Sequence, residues 1–185
     1  MKKGLTQLFY REMSQIVGSE EMTVLVLTDA ARERALSVVC DGLASKQLQL
    51  RMQSSPVHEI MLPEVLLYVL GAEGIKISDY EMVIFAITNG QYEVLLSSTT
   101  SSVKFPIRIS DAVLLNMVAE IPLYILDTLF DRQMTVYEPQ VSGIRIPINA
   151  IGLEQLKQEL QKAVNAEEYR VAAQLQEEIE KRMNG

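Results

Sequence analysis

The first forty residues alternate between apolar and polar side chains, which is the pattern of strands half-buried in a sheet. Three strands are predicted there, at Thr6–Val17, Met22–Leu27 and Arg34–Cys40. Glycine, serine and aspartate residues follow these strands and predict the turns between them. The chain therefore begins with three consecutive strands.

The spacing of apolar residues then changes to that of helices. From Leu43 one helix face would carry Leu43, Gln47 and Leu50 and the adjacent face Leu48 and Met52. Ser54-Ser55-Pro56 ends this helix. A second helix is predicted at Pro63–Gly71, where proline suits the first turn. A short extended segment is expected at Ile75–Ile77.

A tight β-hairpin is the strongest local prediction. Met82–Ile87 and Tyr92–Ser97 are strand-like, and Asn89-Gly90 between them is the residue pair that two-residue hairpin turns favour. Ser78-Asp79-Tyr80-Glu81 resembles a helix capping box, but a strand pattern follows it. We therefore expect a turn at that position.

A strand pattern meets a helix pattern near residue 109. One strand face is apolar and the other is not; the apolar residues are Val103, Phe105, Ile107 and Ile109. Ser110 is a good N-cap for the following helix, and Asp111 suits its first turn. Arg108 stands beside both, so this corner can hold an anion or a metal. In the structural alternative, Arg108 simply pairs with Asp111.

The segments after that helix are shorter. Pro122–Leu126 is predicted as a strand, and Asp127 as the cap of a helix that extends to Phe130. Glycine and proline then recur with no sustained period, which predicts a linker over residues 136–152. One added strand is possible within it, at Ile144–Ile146.

The C-terminal residues 153–185 predict two amphipathic helices joined by a tight turn at Asn165-Ala166. The first apolar stripe comprises Leu153, Leu156, Leu160 and Ala163 or Val164. The second comprises Tyr169, Ala172, Leu175, Ile179 and Met183. A hairpin of this size buries little surface alone, so we expect it to dock on its own domain, on a second copy or on a partner.

Composition and charge narrow the class of protein. Hydrophobic residues make up 48% of the 185 residues and charged residues 22%, as in globular proteins. Polar residues interrupt every apolar run, so neither a membrane span nor a signal peptide is predicted, and the cytoplasm is the default location. The net charge of −7 counts against avid nonspecific binding of nucleic acid.

Single cysteine and histidine residues limit the available chemistry. Cys40 is the only cysteine, which excludes an intramolecular disulfide and a multi-cysteine zinc site. Its apolar neighbours predict a small buried residue rather than a nucleophile. His58 is the only histidine, so a two-histidine metal site is excluded as well. A histidine in such a turn often just satisfies backbone groups.

Four segments together resemble the bifunctional nuclease (BFN) family. They are Arg34–Gly42, Pro56–Glu59, the Asn89-Gly90 hairpin and Arg108–Ala112. The last matches the family's most recognisable motif, an arginine, any residue, then serine, aspartate and alanine. The resemblance covers residues 1–135 and implies a compact α+β domain with DNase and RNase activity. After the glycine turn, where the family carries a glutamate and an alanine, this chain has Leu43-Ala44-Ser45.

The resemblance implies a role for each residue of the site. Asp111 and Glu59 would hold a divalent metal, Mg²⁺ or Mn²⁺, or act as the base. Arg108 would clamp the phosphate, and Ser110 would donate a hydrogen bond to it. His58 would serve as an acid, a base or an orienting group.

The C-terminal hairpin is similar to a UVR domain, the helical hairpin shared by the B and C subunits of bacterial excision repair. UVR hairpins are mainly protein-interaction modules. The resemblance therefore implies a protein partner for residues 153–185. The residues expected to contact it are Leu160, Tyr169, Ala172, Leu175 and Ile179.

The sequence thus predicts an α+β protein with a mixed, mostly antiparallel sheet, packed helices and a C-terminal two-helix hairpin. The expected function is a nuclease that hydrolyses DNA or RNA with little sequence preference. The alternative is a non-catalytic interaction or regulatory protein that retains the fold and binds a partner through its hairpin. The absent glutamate near Ala44 and the acidic charge favour the alternative. A homo-oligomer is expected, and membrane association is not.

Overall fold

The computed structural model describes residues 2–15, 23–53, 56–137, 153–165 and 169–183. These residues form one extended sheet with helices packed on it and a separate pair of C-terminal helices. The strands are β1 (Leu5–Gln15), β2 (Thr23–Thr28), β3 (Arg34–Cys40), β4 (Tyr80–Thr88), β5 (Gln91–Ser98), β6 (Lys104–Arg108), β7 (Leu123–Leu126) and β8 (Thr135–Val136).

The strands lie in the order β6-β5-β4-β7-β1-β2-β3-β8. The β4–β7 pair is parallel, and the other neighbours are antiparallel. The predicted α+β class with a mostly antiparallel sheet is therefore confirmed. Strand β8 lies where the sequence predicted the end of the domain and the start of the linker. The rest of that linker, including Ile144–Ile146, lies outside the described residues.

Strand β1 joins the two halves of the sheet. Its first part pairs with β7, from Leu5 opposite Leu126 to Leu8 opposite Leu123. Its second part pairs with β2, and the register shifts between Tyr10 and Glu12. A bulge of this kind bends and twists a strand. The two halves of the sheet consequently share β1 but use different stretches of it.

The predicted hairpin between β4 and β5 is confirmed. Asn89 and Gly90 occupy the turn with φ angles of 52° and 79°. Two consecutive residues with positive φ match the twist of the flanking strands, and asparagine and glycine tolerate this conformation best. The three strands predicted in the first forty residues are also present.

The helices are α1 (Gly42–Met52), α2 (Leu62–Ala72), α3 (Ile109–Ala119), α4 (Asp127–Gln133), α5 (Leu153–Asn165) and α6 (Tyr169–Met183). A short 3₁₀ helix, Pro56–Ile60, precedes α2, and another, Ile77–Asp79, precedes β4. The predicted extended segment at Ile75–Ile77 is therefore wrong at Ile77, where the second 3₁₀ helix begins. Lys76 before it has extended backbone angles.

Two predicted helix caps are also wrong, each by a short distance. Helix α3 begins before Ser110, with Arg108 as its N-cap, because Ile109 already belongs to the helix. Helix α4 has Leu126 at its N-cap, so Asp127 lies in the first turn. There Asp127 accepts a hydrogen bond of 2.7 Å from the Thr6 hydroxyl and thus ties α4 to β1.

One hydrophobic core holds the sheet and three of its helices together. Leu48 of α1, Val113 of α3 and Phe130 of α4 are buried against strand residues such as Leu36 and Ile84. Helix α3 contacts both α1 and α2. These contacts place the start of α3 beside two helices and thereby create the groove described below.

Helices α5 and α6 form a hairpin with a small core of its own. Its buried residues come from both predicted stripes: Leu156, Ala163, Ala172, Leu175 and Ile179. The stripes therefore pack against each other. None of the helices in the described ranges is both long and apolar enough to cross a bilayer.

Candidate functional site

A groove with a volume of about 340 Å³ lies where α1, the start of α2 and the start of α3 meet. Most of its wall is apolar, and its charged groups lie together where β6 passes into α3. The lining residues are Leu43, Ala44, Gln47, Met61, Leu62, Pro63, Arg108, Ser110, Asp111 and Leu114. The Arg108–Asp111 corner therefore opens into a groove that can hold a small ligand.

Arg108 and Asp111 form a two-point ion pair at one end of this groove. Nε of Arg108 donates to Oδ2 of Asp111 at 2.7 Å, and Nη2 donates to Oδ1 at 3.0 Å. The hydrogen bond and the negative charge of Asp111 raise the pKa of the Arg108 guanidinium. Arg108 is mostly exposed. The pair is thus ordered but accessible, and the pairing foreseen as the structural alternative is present.

Asp41 brings a second carboxylate to Arg108. Its Oδ2 lies 3.6 Å from Nη1 of Arg108, and its Oδ1 accepts a hydrogen bond of 2.8 Å from the Ala44 N–H as the cap of α1. One cation and two carboxylates give this cluster a net formal charge of −1. Sequence reasoning missed Asp41 as a site residue. Asp41 could have been recognised from its position between the end of β3 and Gly42, where the cap of the following helix is expected.

Ser110 lies in the first turn of α3, where it is buried and lines the groove. Arg108 has extended backbone angles, with φ at −67° and ψ at 146°, and no side chain caps the helix there. First-turn backbone N–H groups lack partners within a helix. The hydroxyl of Ser110 thus stands near polar groups suited to an oxyanion, and next to the Arg108–Asp111 pair.

His58 and Glu59 lie in the 3₁₀ helix that leads into α2. Nδ1 of His58 is 3.6 Å from Oε1 of Glu64, and this nitrogen is buried with no hydrogen-bond partner in the described part of the chain. Glu59 is exposed. Neither residue lines the groove, although Met61, two residues after Glu59, does. The structure thus brings Arg108, Ser110 and Asp111 together in the groove lining, whereas His58 and Glu59 lie outside it.

A buried ion pair supports that wall. Nε of Arg51 donates to Oε1 of Glu64 and Nη2 to Oε2, both at 2.7 Å. Nη1 also donates to the backbone oxygen of Gln47 at 2.6 Å. Sequence reasoning missed this pair. The available signal was Glu64 itself, a single carboxylate in an otherwise apolar helix, which needs either solvent or a cation.

Cys40 lies directly before the site and is buried, as the sequence predicted. Burial, together with the negative charges of Asp41 and Asp111, raises the pKa of its thiol to about 12. The thiolate is the nucleophilic form of cysteine. Cys40 is therefore a neutral core residue at physiological pH.

The donor groups fit a metal site of two carboxylates that is completed by the substrate. Among the residues that the structure describes, no three histidine, cysteine, aspartate or glutamate side chains form a ligand cluster. Mg²⁺, however, commonly binds through one or two carboxylates together with substrate phosphates. Asp41 and Asp111, which both approach Arg108, are two such carboxylates.

The residues predicted to bind a protein partner occupy different positions in the C-terminal hairpin. Ala172, Leu175 and Ile179 are buried between α5 and α6, and Leu160 is partly buried against them. Tyr169 is mostly exposed at the start of α6. Of these five side chains, Tyr169 is thus the one most accessible to a partner.

Residues 25–138 match the family described as "Bifunctional nuclease domain". The match covers more than half of the chain and begins within β2. It includes every residue of the groove and also His58 and Glu59, whereas the C-terminal hairpin lies outside it. A comparison with curated proteins finds no match.

Proposed function

Because this chain belongs to the bifunctional nuclease domain family, we propose that it is a nuclease that hydrolyses phosphodiester bonds of DNA or RNA. Its active site is the groove between α1, α2 and α3. One observation carries this proposal: Arg108, Ser110 and Asp111 line a single groove within the residues that match the family.

Arg108 and Ser110 are the groups that would hold the scissile phosphate. A guanidinium binds phosphate oxygens through the same paired N–H groups that Asp111 occupies in the free protein. Three N–H groups of Arg108, on Nη1 and Nη2, remain for a phosphate while Asp111 is bound, and a phosphate that displaces Asp111 gains the other two. The Ser110 hydroxyl donates to a second phosphate oxygen, and Asp111 stays beside the reacting group.

A divalent metal, Mg²⁺ or Mn²⁺, would neutralise the net negative charge of the cluster formed by Arg108, Asp41 and Asp111. Asp41 and Asp111 would hold it together with substrate oxygens, and Glu59 remains a predicted further ligand or base. When bound, such an ion supplies charge neutralisation and lowers the pKa of a water molecule. With Asp111 held by such an ion, the Arg108 guanidinium would be available for the phosphate.

His58 would act as the acid or base through Nε2. Its Nδ1 lies 3.6 Å from Oε1 of Glu64, which is beyond hydrogen-bond distance, so the ring would have to approach Glu64 and turn Nε2 toward the groove to fill this role. Glu64 in turn is held by Arg51. His58 does not line the groove, so its role stays a prediction, with Glu64 as its positioning residue.

The groove wall supports weak sequence preference. Base-specific recognition requires donors and acceptors that match the edges of the bases. Apart from the charged corner and Ser110, Gln47 is the only lining residue with a polar side chain, and the rest of the lining is apolar. Apolar side chains contact the faces of different bases equally well. We therefore expect the enzyme to accept many sequences.

The proposal is tested by nuclease assays on single-stranded and duplex DNA and RNA, with Mg²⁺ or Mn²⁺. Arg108→Ala and Asp111→Ala should each lower the rate by at least about tenfold, equivalent to about 1.4 kcal/mol. Arg132→Ala is a matched control, because Arg132 is an exposed arginine that contacts a backbone oxygen of its own helix. No activity in the wild type, or activity indifferent to both substitutions, would refute the proposal.

The second candidate function is a non-catalytic interaction protein that retains the fold. This candidate is favoured by the contacts of Arg108. Asp111 already neutralises its positive charge, and the Asp41 carboxylate lies nearby. In this case the UVR-like hairpin would bind a protein partner. Deletion of residues 153–185 should then abolish partner capture while residues 2–137 stay folded, and Tyr169→Glu should weaken it. Capture that survives the deletion would count against this candidate. Self-association remains a prediction under both functions.

A further inference from the structure

Gln47 lines the groove with a side-chain amide that is held in one orientation. Its Oε1 accepts a hydrogen bond of 3.0 Å from Nη1 of Arg51, and the same Nη1 donates to the backbone oxygen of Gln47 at 2.6 Å. A guanidinium only donates, so the amide oxygen rather than the amide nitrogen has to face Arg51. The two N–H groups on Nε2 are therefore the end of this amide that is left for a ligand, and Nε2 makes no hydrogen bond to the residues that the structure describes.

Apolar side chains from two helices are open to solvent in the same groove. Leu43 of α1 and Leu62 of α2 both line it, and they are 68% and 76% exposed. Leu114 of α3 is buried and adds to the same lining. Covering exposed leucine is favourable because it removes apolar surface from water. A ligand that suits this groove thus needs an apolar surface for the leucines and an acceptor for Gln47.

The charged corner and Gln47 are separated by a distance that one nucleotide can span. Asp41 caps α1 and approaches Arg108, and Gln47 lies five residues after Gly42, where α1 begins. Five residues of α-helix rise about 7.5 Å, which is of the same order as the separation of phosphate and base within a nucleotide. The volume of about 340 Å³ is at the small end of the range for ligand pockets. The groove therefore matches one nucleotide rather than a stack of base pairs.

From these observations we propose that the groove binds one unstacked nucleobase beside the phosphate at Arg108, and that the substrate of the nuclease is therefore single-stranded nucleic acid. Gln47 donates through Nε2 to an acceptor atom of this base, and Leu43 and Leu62 contact its apolar surface. The inference rests on the proposed function, because the phosphate held by Arg108 is what brings a base into the groove.

A base inside a duplex is not available to these residues. Its faces are stacked on neighbouring bases and its pairing edge is hydrogen-bonded, so it has to leave the helix before it can contact Gln47 and the leucines. Extrusion costs free energy, and the cost is least for a base that is already unpaired. Every base carries acceptor atoms on its edges, so one donor discriminates little between bases. The groove thus selects unpaired strands rather than particular sequences.

Other occupants satisfy fewer of the groove residues. An acyl chain would cover the leucines but leave the N–H groups of Gln47 without an acceptor, and such a loss is costly. A sugar phosphate without a base would reach Arg108 but leave Leu43 and Leu62 in water. A nucleotide with an unstacked base satisfies the cation, the amide and the leucines together.

The first test measures base binding without cleavage. Thymidine monophosphate and deoxyribose phosphate share a sugar and a phosphate, but only the former carries a base, and neither contains a phosphodiester bond. In NMR titrations of the full chain with Mg²⁺, thymidine monophosphate should bind at least about tenfold more tightly, as expected for contacts to a base. Equal dissociation constants would refute the inference whether or not the protein is a nuclease.

Two substitutions of Gln47 isolate the amide donor. Gln47→Glu keeps an acceptor for Arg51 but has no N–H group, and Gln47→Met keeps the size of the side chain without either polar atom. Each should raise the dissociation constant of thymidine monophosphate by about two- to tenfold. Gln47→Met should leave that of deoxyribose phosphate unchanged. Gln49→Glu is the matched control, because it adds the same charge to α1 outside the groove lining. Folded variants that lose no affinity, or lose no more than this control, would contradict the role of Gln47.

The second test compares cleavage of one sequence as a single strand and as a duplex. The single strand should have a kcat/KM at least about tenfold higher, because the duplex must first release a base. Equal values would overturn the selection of single strands. Base-dependent binding with no cleavage of any substrate would overturn the nuclease function and leave the base site standing. Cleavage without base-dependent binding would do the reverse.

Discussion

Arg51 of α1 and Glu64 of α2 are joined by two parallel hydrogen bonds of 2.7 Å, with only 5% and 10% of their side chains exposed. Residues of both helices line the groove. A buried carboxylate is costly unless a cation and hydrogen bonds compensate for the lost water. The pair therefore fixes α2 in an orientation that its apolar face alone would not select.

Removing the cation from this pair should destabilise the protein strongly. Arg51→Met leaves Glu64 buried without its partner, and such a loss costs about 3–5 kcal/mol of unfolding free energy. The double variant Arg51→Met with Glu64→Leu should recover most of that loss. Urea denaturation measures both values, and Lys46→Met on the exposed side of α1 is the control. Equal stabilities of the single and double variants would contradict this account of the pair.

Asp41 has two roles that two substitutions separate. Asparagine caps a helix about as well as aspartate, so Asp41→Asn should keep the unfolding free energy within about 0.5 kcal/mol, whereas Asp41→Ala should lose about 1 kcal/mol. Both variants remove the charge beside Arg108. If Asp41 holds a metal, both should raise the Mg²⁺ concentration for half-maximal activity by at least about tenfold, since even supporting groups are worth that much. An unchanged metal dependence would remove Asp41 from the site.

Acid should destabilise the protein partly through Asp29. Burial raises the pKa of Asp29, but hydrogen bonds from the Arg34 side chain and from the backbone N–H groups of Glu33 and Arg34 outweigh it and hold this pKa below its ordinary value. The folded state thus favours the charged form. Its contribution is present above the ordinary carboxyl pKa and disappears as the pH falls through the lowered pKa. Asp29→Asn should cost about 1–3 kcal/mol at neutral pH and much less in acid. A stability difference independent of pH would contradict this.

Cys40 should be inert in the folded protein. With its thiol pKa at about 12, only about one thiol in ten thousand is ionised at pH 8. Ellman's reagent should therefore label native protein very slowly and urea-unfolded protein at once. Cys40→Ala should retain nuclease activity if the protein has it. Rapid labelling of the native chain would show that the thiol is accessible and ionised.

The local structure was predictable where adjacent residues determine it. The Asn89-Gly90 turn needs positive φ angles that few residues tolerate, so its hairpin follows from two residues. The strand at Arg34–Cys40 was predicted with its observed bounds, because the turn residues Asp41 and Gly42 follow it. Ser110 was misplaced as a cap because α3 begins at Ile109, two residues earlier than a cap at Ser110 implies. The sequence pattern does not distinguish Ile109 as the end of a strand from Ile109 as the start of a helix.

The long-range parts of the site were not predictable from periodicity. Arg51 and Glu64 belong to different helices, and their pairing depends on how α2 rotates about its axis. The apolar residues of α2 suggested an ordinary buried helix, whereas the buried position is that of Glu64. Asp41 likewise meets Arg108 only because β3 and β6 bring their ends to the same groove. Such relations depend on tertiary packing rather than on local spacing.

The shared strand β1 decides where an independently folding fragment has to begin. The family match starts at residue 25, but β1 precedes it. Strand β1 lies between β7 and β2 and is hydrogen-bonded to both. A fragment of residues 25–138 would split into a four-stranded and a three-stranded sheet, each with a newly unpaired edge. Exposed edges of this kind pair with other chains and aggregate. An expression clone therefore has to start at or before Leu5 to yield folded protein.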